Sequence, residues 1–279
     1  LLFSYSFIMI IDTHTHIYLN TKITEDDILE HAKNSQVDKM IAIWVDLKTS
    51  QKCLDLSQKY ENIFYPVVWI HPCDTFEFKD NIDLTINKLE IMILENITKI
   101  KAIWECWLDY FYLSNWSKKN EEISVQKEFF IKQIALSKKY DLPLVIHVRD
   151  AFEEVFEILK QENVSKFVLH CYTWDLNFAY RIIYYFPEAK ISFSWIVTYS
   201  SAKELQNVAS NIPLEKIFVE TDCPYLAPQE VRWQENEPAN VWYTLDKIVD
   251  LRIANWKKET KEEIYAQIRK NSLEFFGIK

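Results

Sequence analysis

Short apolar runs alternate with longer amphipathic stretches along this chain. Eight runs, rich in Ile and Val, each close on polar residues: "FIMIIDTHTH", "KMIAIWVD", "IFYPVVWIHP", "IKAIWECWLD", "PLVIHVRD", "KFVLHCYT", "KISFSWIVTY" and "IFVETDCPYL". Runs that stay apolar at successive positions mark strands buried on both faces, since strict alternation arises where one face meets water. Stretches of helical length lie between them, such as "EEISVQKEFFIKQIALSKKYD" and "AFEEVFEILKQEN". Eight strands alternating with helices predict an α/β fold of the (β/α)8 TIM-barrel type. Helical stretches over 240–256 and 261–276 predict extra C-terminal helices. Met9 reads as the natural start, which makes residues 1–8 an extension without a role in the fold and 9–279 a single domain.

The 279 residues are 49% hydrophobic and 26% charged, as in ordinary globular proteins. No apolar run reaches the roughly 18–20 residues that span a bilayer. The opening residues lack a basic stretch and a small-residue cleavage site, so no export signal is expected. Five cysteines, at 53, 73, 106, 171 and 223, form no CxxC pair. They are expected to be reduced thiols in a cytoplasmic protein without a membrane partner. A net charge of −9 argues against a generally basic nucleic-acid surface. A local phosphate site built around cations remains compatible with it.

Metal-binding side chains gather at the ends of the predicted strands. His14 and His16 close the first run, Glu105 the fourth, His147 the fifth, His170 the sixth and Asp222 the eighth. In a β/α barrel the C-terminal strand ends converge on one mouth, so residues far apart in sequence meet there. His14 and His16 are two apart and on a strand share a side. Taken singly, a histidine there can be a hydrogen-bonded core residue, and a carboxylate can cap the next helix. Four imidazoles with two carboxylates form a mixed nitrogen and oxygen set that suits Zn²⁺, Mn²⁺ or Mg²⁺. Six donors suit two ions sharing a carboxylate, with Glu105 the expected bridge and Asp222 the expected proton acceptor. Cys106, Cys171 and Cys223 each follow a proposed ligand and are expected on the opposite face as packing residues. Arg232, in "VRWQENEPA", and Arg149, in "HVRD", are candidates to grip a phosphate, with surface ion pairing as the alternative. His71, in "WIHP", is a further candidate for substrate contact or for a structural role, and His31 is expected to be solvated.

The motifs, in order, are "IIDTHTH", "HPCD", "ECWLDY", "PLVIHVRDA", "LHCYT", "ISFSWIVTY", "ETDCPYLAP" and "ENEPANV". With them the chain resembles the TatD family of metal-dependent deoxyribonucleases, within the amidohydrolase-like barrels. The resemblance covers nearly all of the chain after Met9. It implies a two-metal site with His14, His16, Glu105, His147, His170 and Asp222 as ligands. It also implies hydrolysis of phosphodiester bonds in DNA, as an exonuclease on single strands. Two other functions fit the same barrel: hydrolysis of a small ester, amide or lactone, and non-catalytic binding of phosphate-bearing ligands.

The chain departs from the family pattern in one systematic way. Tryptophan stands where the pattern has glycine: "WECWLDY" looks like GECGLDY, and Trp69, Trp174, Trp195 and Trp233 fall at glycine positions of their motifs. Trp44 fits the same substitution, and Trp116, Trp242 and Trp256 fit it less clearly. The chain has 10 Trp and 1 Gly, where average usage gives about 20 glycines. A decoding difference accounts for this, since UGA is read as tryptophan in some genetic codes and as glycine in others. A family branch whose aromatic strand ends stack on bases is the alternative.

Overall fold

A computed structural model describes residues 9–20, 22–43, 47–68, 76–111, 113, 118–255 and 257–279, with the backbone alone at 47–50 and 105–107. Trp44, Trp69, His71, Trp116 and Trp256 lie outside the described residues, as do the side chains of Glu105, Cys106 and Trp107. Strands and helices alternate as the hydrophobic pattern predicts. The strands are β1 (Ile10–Thr15), β2 (Val37–Ala42), β3 (Phe64–Pro66), β4 (Ile103–Asp109), β5 (Leu144–Arg149), β6 (Phe167–Leu169), β7 (Lys190–Phe193) and β8 (Ile217–Val219). The helices are α1 (Glu25–Asn34), α2 (Leu47–Lys59), α3 (Ile82–Glu95), α4 (Lys119–Tyr140), α5 (Phe152–Gln161), α6 (Leu176–Tyr185), α7 (Lys203–Asn211), α8 (Val241–Ala254) and α9 (Lys261–Phe276). The last two correspond to the extra helices expected at the C-terminal end.

The chain forms two compact units. The first comprises the described residues of 1–41, 173–179 and 192–279. Here β1 and β8 run side by side, with a parallel bridge from Thr15 to Cys223. Their apolar residues, Ile10, Ile11, Ile217, Phe218 and Val219, are buried. The C-terminal helix α9 packs on β8 through Phe275 and Phe276, whose rings lie 5.3 and 5.9 Å from that of Phe218. A capping box of Thr260 and Glu263 starts α9. It ends at Gly277 with φ +59. Glycine suits this left-handed cap because it has no Cβ to clash.

The second unit comprises the described residues of 42–172 and 180–191. It holds a parallel ladder from β4 through β5 and β6 to the start of β7. Strand β5 is covered on both faces, and its Leu144, Val145 and Ile146 are buried as a continuous apolar run requires. Phe156 of α5 meets Phe186 at 5.6 Å, and Phe186 meets Phe167 of β6 at 5.1 Å.

Like β3, strands β7 and β8 are shorter than their runs. In "KISFSWIVTY" the strand stops at Phe193, and Trp195–Thr198 forms a 3-10 turn. Gln206 holds that turn by donating from Nε2 to the carbonyls of Val197 and Tyr199, at 3.0 and 2.8 Å. In "IFVETDCPYL" the strand stops at Val219, although backbone pairing continues beyond it from Glu220 N to Phe193, Asp222 N to His14 and His16 N to Cys223, with the Asp12 carboxyl taking the Thr221 N–H between them. The Cys223–Pro224 peptide bond is cis.

Candidate metal centre

In the first unit three proposed ligands converge. His14 lies within β1, while His16 lies just past it with φ −110 and ψ 52. Their Nε2 atoms are 2.9 Å apart. Asp222 Oδ1 lies 3.3 Å from His14 Nε2 and 3.6 Å from His16 Nε2. Four donors at about 2.0–2.1 Å from one tetrahedral ion stand about 3.3 Å from each other. The three separations therefore fit a divalent cation, as does the chemistry of two imidazoles and a carboxylate. Both imidazoles are buried. Asp222 lies three residues beyond β8, with φ +57. Asp is among the few residues that enter this left-handed region readily.

The local sequence explains this convergence. Asp12, fully buried, accepts hydrogen bonds from Thr221 N at 3.0 Å, Thr221 Oγ1 at 2.5 Å and His14 N at 3.2 Å. These bonds tie the end of β1 to the segment carrying Asp222. Asp222 N in turn donates to the His14 carbonyl at 3.0 Å. Burial pushes the Asp12 carboxyl up to about 8, against the pull of its hydrogen bonds. Glu220, also buried, accepts from Ser192 Oγ at 2.5 Å. Thr13 Oγ1 donates to the Val219 carbonyl at 2.9 Å. Asn236 of "ENEPAN" donates to the Thr221 carbonyl at 2.9 Å and to the Leu226 carbonyl at 3.3 Å. Asp12, Ser192, Glu220, Thr221 and Asn236 escape a reading that looks only for ligands at strand ends. The pattern D-x-H-x-H is the one signal that singles out Asp12.

In the second unit His147 Nδ1 and His170 Nε2 are 2.9 Å apart. His147 is the fourth residue of β5 rather than its last, and His170 follows β6 directly. Cys171, next to His170, has φ +43. Such a backbone is costly for a residue other than Gly, Asn or Asp. The fully buried indole of Trp104 packs edge-on against His170, with ring centroids 4.7 Å apart. The register of β4 against β5 slips between Trp104 and Cys106, which makes Glu105 the extra residue of a bulge. Bulges re-aim side chains and recur beside active sites. The bulge also interrupts the alternation from which Cys106 was expected to face away from Glu105. Cys223 is buried and pairs with Thr15 Oγ1 at 2.7 Å.

The other candidates lie as follows. Arg149 sits over the ring of Phe111, its guanidinium carbon 3.6 Å from the centroid. Arg232 is exposed, over Tyr199 at 5.5 Å and Trp233 at 5.1 Å. His31 is exposed, as expected, and its Nδ1 pairs with Glu237 at 2.8 Å. Among the described tryptophans none has a positive φ. Trp195 buries an indole N–H with no partner among the described residues, whereas Trp233 is 89% exposed.

The family model for the TatD related DNases matches residues 11–277. The chain belongs to the TatD family. It is similar to the metal-dependent hydrolase YabD of Bacillus subtilis, at 34% identity over 97% of this chain and 100% of that one. It is also similar to the metal-dependent hydrolase YcfH of Escherichia coli K12, at 30% identity over 83% and 84% of the two chains. Family and relatives together make it a metal-dependent hydrolase. Among solved structures it resembles YjjV, a TatD homologue from Escherichia coli K12, with a TM-score of 0.84 at 22% identity over 98% and 100% of the chains. The phosphotriesterase homology protein of Escherichia coli, complexed with phosphate in its active site, gives 0.67 at 12% identity over 96% and 99%. These likenesses show the fold expected from the sequence, an α/β TIM barrel with C-terminal helices. Among the described residues no helix is long and apolar enough to cross a membrane.

Proposed function

We propose that this chain is a deoxyribonuclease that removes nucleotides from single-stranded DNA by hydrolysing phosphodiester bonds. The observation that carries the reading is the convergence of His14, His16 and Asp222 on one cation-sized point. Its support also includes the family model's description as a DNase. A structural neighbour that holds phosphate in its active site adds to it. His14, His16 and Asp222 in the first unit, and Glu105, His147 and His170 in the second, are assigned as ligands for two divalent ions, Mg²⁺, Mn²⁺ or Zn²⁺. Bound there, such ions would supply the Lewis acidity that makes water nucleophilic near neutral pH.

The chain's own groups then have distinct tasks. Asp222 accepts the proton as water oxygen bonds to phosphorus and the bond to the leaving ester oxygen breaks. Glu105 would add a carboxylate to the ligand set. Arg232 offers an exposed guanidinium to the phosphate, and Arg149 and His71 are assigned to the substrate with less support. Free thiols at Cys53 and Cys223 accord with a cytoplasmic location, which belongs to the same proposal.

End-labelled single-stranded DNA with Mg²⁺ or Mn²⁺ provides the test. Release of mononucleotides from one end is expected, and Glu105→Ala is expected to lose bound metal and turnover together. A folded, metal-loaded protein that leaves DNA intact yet cleaves small esters, amides or lactones would overturn the substrate assignment.

A further inference from the structure

Beside the His14–His16–Asp222 cluster lies a ring to which neither metal binding nor phosphate binding assigns a task. Tyr225 N donates to the Asp222 carbonyl at 3.1 Å, so the tyrosine is fixed three residues from the candidate ligand. Its ring meets that of His16 at 5.5 Å, tilted 77°. Yet Tyr225 is 49% exposed, and Leu226 beside it is 65% exposed. The segment presenting them is clamped on both sides. Asn236 holds the Leu226 carbonyl, and the Tyr199 hydroxyl donates to the Ala227 carbonyl at 3.0 Å. Tyr199 is also the ring over which Arg232 lies. An exposed ring on a rigid segment, touching a ligand on one side and leading toward an exposed guanidinium on the other, makes a platform for a flat, charged chain.

We propose that Tyr225 is a substrate-positioning residue that stacks on the base next to the phosphodiester being cleaved. The inference rests on the nuclease reading and adds a contact to the base, where that reading has contacts only to metal and phosphate. Stacking accepts every base, because each has a π-face. It therefore suits an enzyme that must digest a strand without regard to sequence. Arg232, held over Tyr199, would grip phosphate along the same segment.

The test compares two single-stranded oligonucleotides that differ only in whether the residue beside the cleaved phosphate carries a base or is abasic. For the unmodified protein, KM is expected to be about tenfold or more lower for the base-bearing strand. Tyr225→Leu, which keeps apolar bulk against His16, and Tyr225→Ala are expected to erase that preference, acting on KM more than on kcat. Tyr225→Phe is expected to retain it. Metal content, measured on every variant, separates stacking from support of His16. A preference that survives in Tyr225→Leu and Tyr225→Ala overturns the proposal. So does an equal KM increase on both strands, or loss of metal from these variants. If the unmodified protein cleaves neither strand, the nuclease reading itself fails, which is a different result from cleavage without base preference.

Discussion

The two histidine pairs of this molecule are close in geometry and unlike in surroundings. His14 and His16 sit among short polar side chains: Asp12 bonds to Thr221 and to the His14 backbone N–H, Thr13 to the Val219 carbonyl and Thr15 to the Cys223 thiol. His147 and His170 show the same 2.9 Å nitrogen separation, but the neighbour packed on His170 is the indole of Trp104. Hydrogen bonds fix direction, because their strength falls steeply with angle. Ring packing fixes distance and leaves orientation freer. The first pair is thus aimed through its hydrogen-bonded backbone, with the Tyr225 ring beside His16, and at His170 the second pair is wedged by an indole.

The largest effect should come from removing the charge that the first pair faces. Asp222→Asn keeps a residue tolerant of φ +57 and so preserves the backbone. We expect kcat on DNA to fall by about a thousandfold or more, with the thermal transition little changed. Retained activity would show that the proton goes elsewhere.

Next comes the aiming network. Asp12→Ala strips acceptors from Thr221 N, Thr221 Oγ1 and His14 N in a buried place. Leaving such donors unsatisfied costs about 1–3 kcal/mol each. With partial relaxation, a loss of about 2–4 kcal/mol in urea unfolding is expected, along with weaker metal retention. A change near zero would mean that the direction of His14 is set by β1 alone.

The wedge is tested by Trp104→Gly. The family pattern has glycine here, and overpacking beside a site costs about 1–3 kcal/mol. We expect the change to raise stability by about that amount and to increase metal uptake. A loss of about 3–5 kcal/mol would instead mark the indole as native packing. The codons at the ten tryptophans make the same distinction without a protein: UGA predicts the gain, UGG the loss.

These contrasts also explain what the sequence made legible. Continuous apolar runs revealed all eight strands, because burial on both faces removes polar alternation. They overshot at "WIVT" because a part-buried 3-10 turn is as apolar as a strand, and the groups that hold it, Gln206 and the Gln229 N–H, lie outside the run. The convergence of His14, His16 and Asp222 was legible in outline from their residue types. Their aiming was not, since Asp12 meets Thr221 across 209 positions and Ser192 meets Glu220 across 28. The bulge at Glu105 was hidden for another reason: an inserted strand residue leaves no trace in hydropathy.

The smallest effect lies at the outer end of the first unit's network. Glu237 follows Asn236, which holds the carbonyls of Thr221 and Leu226, and its carboxylate pairs with His31 of α1. That hydrogen bond and charge hold the His31 imidazole above its ordinary value of 6.5. A raised folded-state pKa means that the folded protein binds the proton more tightly. The pair's contribution is therefore complete below about pH 6.5 and is lost as pH rises through the raised value. His31 is 48% exposed. Screening by solvent therefore limits the effect to about 0.5 kcal/mol. Tm for the unmodified protein should exceed that of His31→Gln slightly at about pH 5.5, and the gap should close by about pH 9. A gap that persisted at high pH would show that the neutral hydrogen bond, rather than the charge, joins α1 to the segment beneath Asp222 and Tyr225.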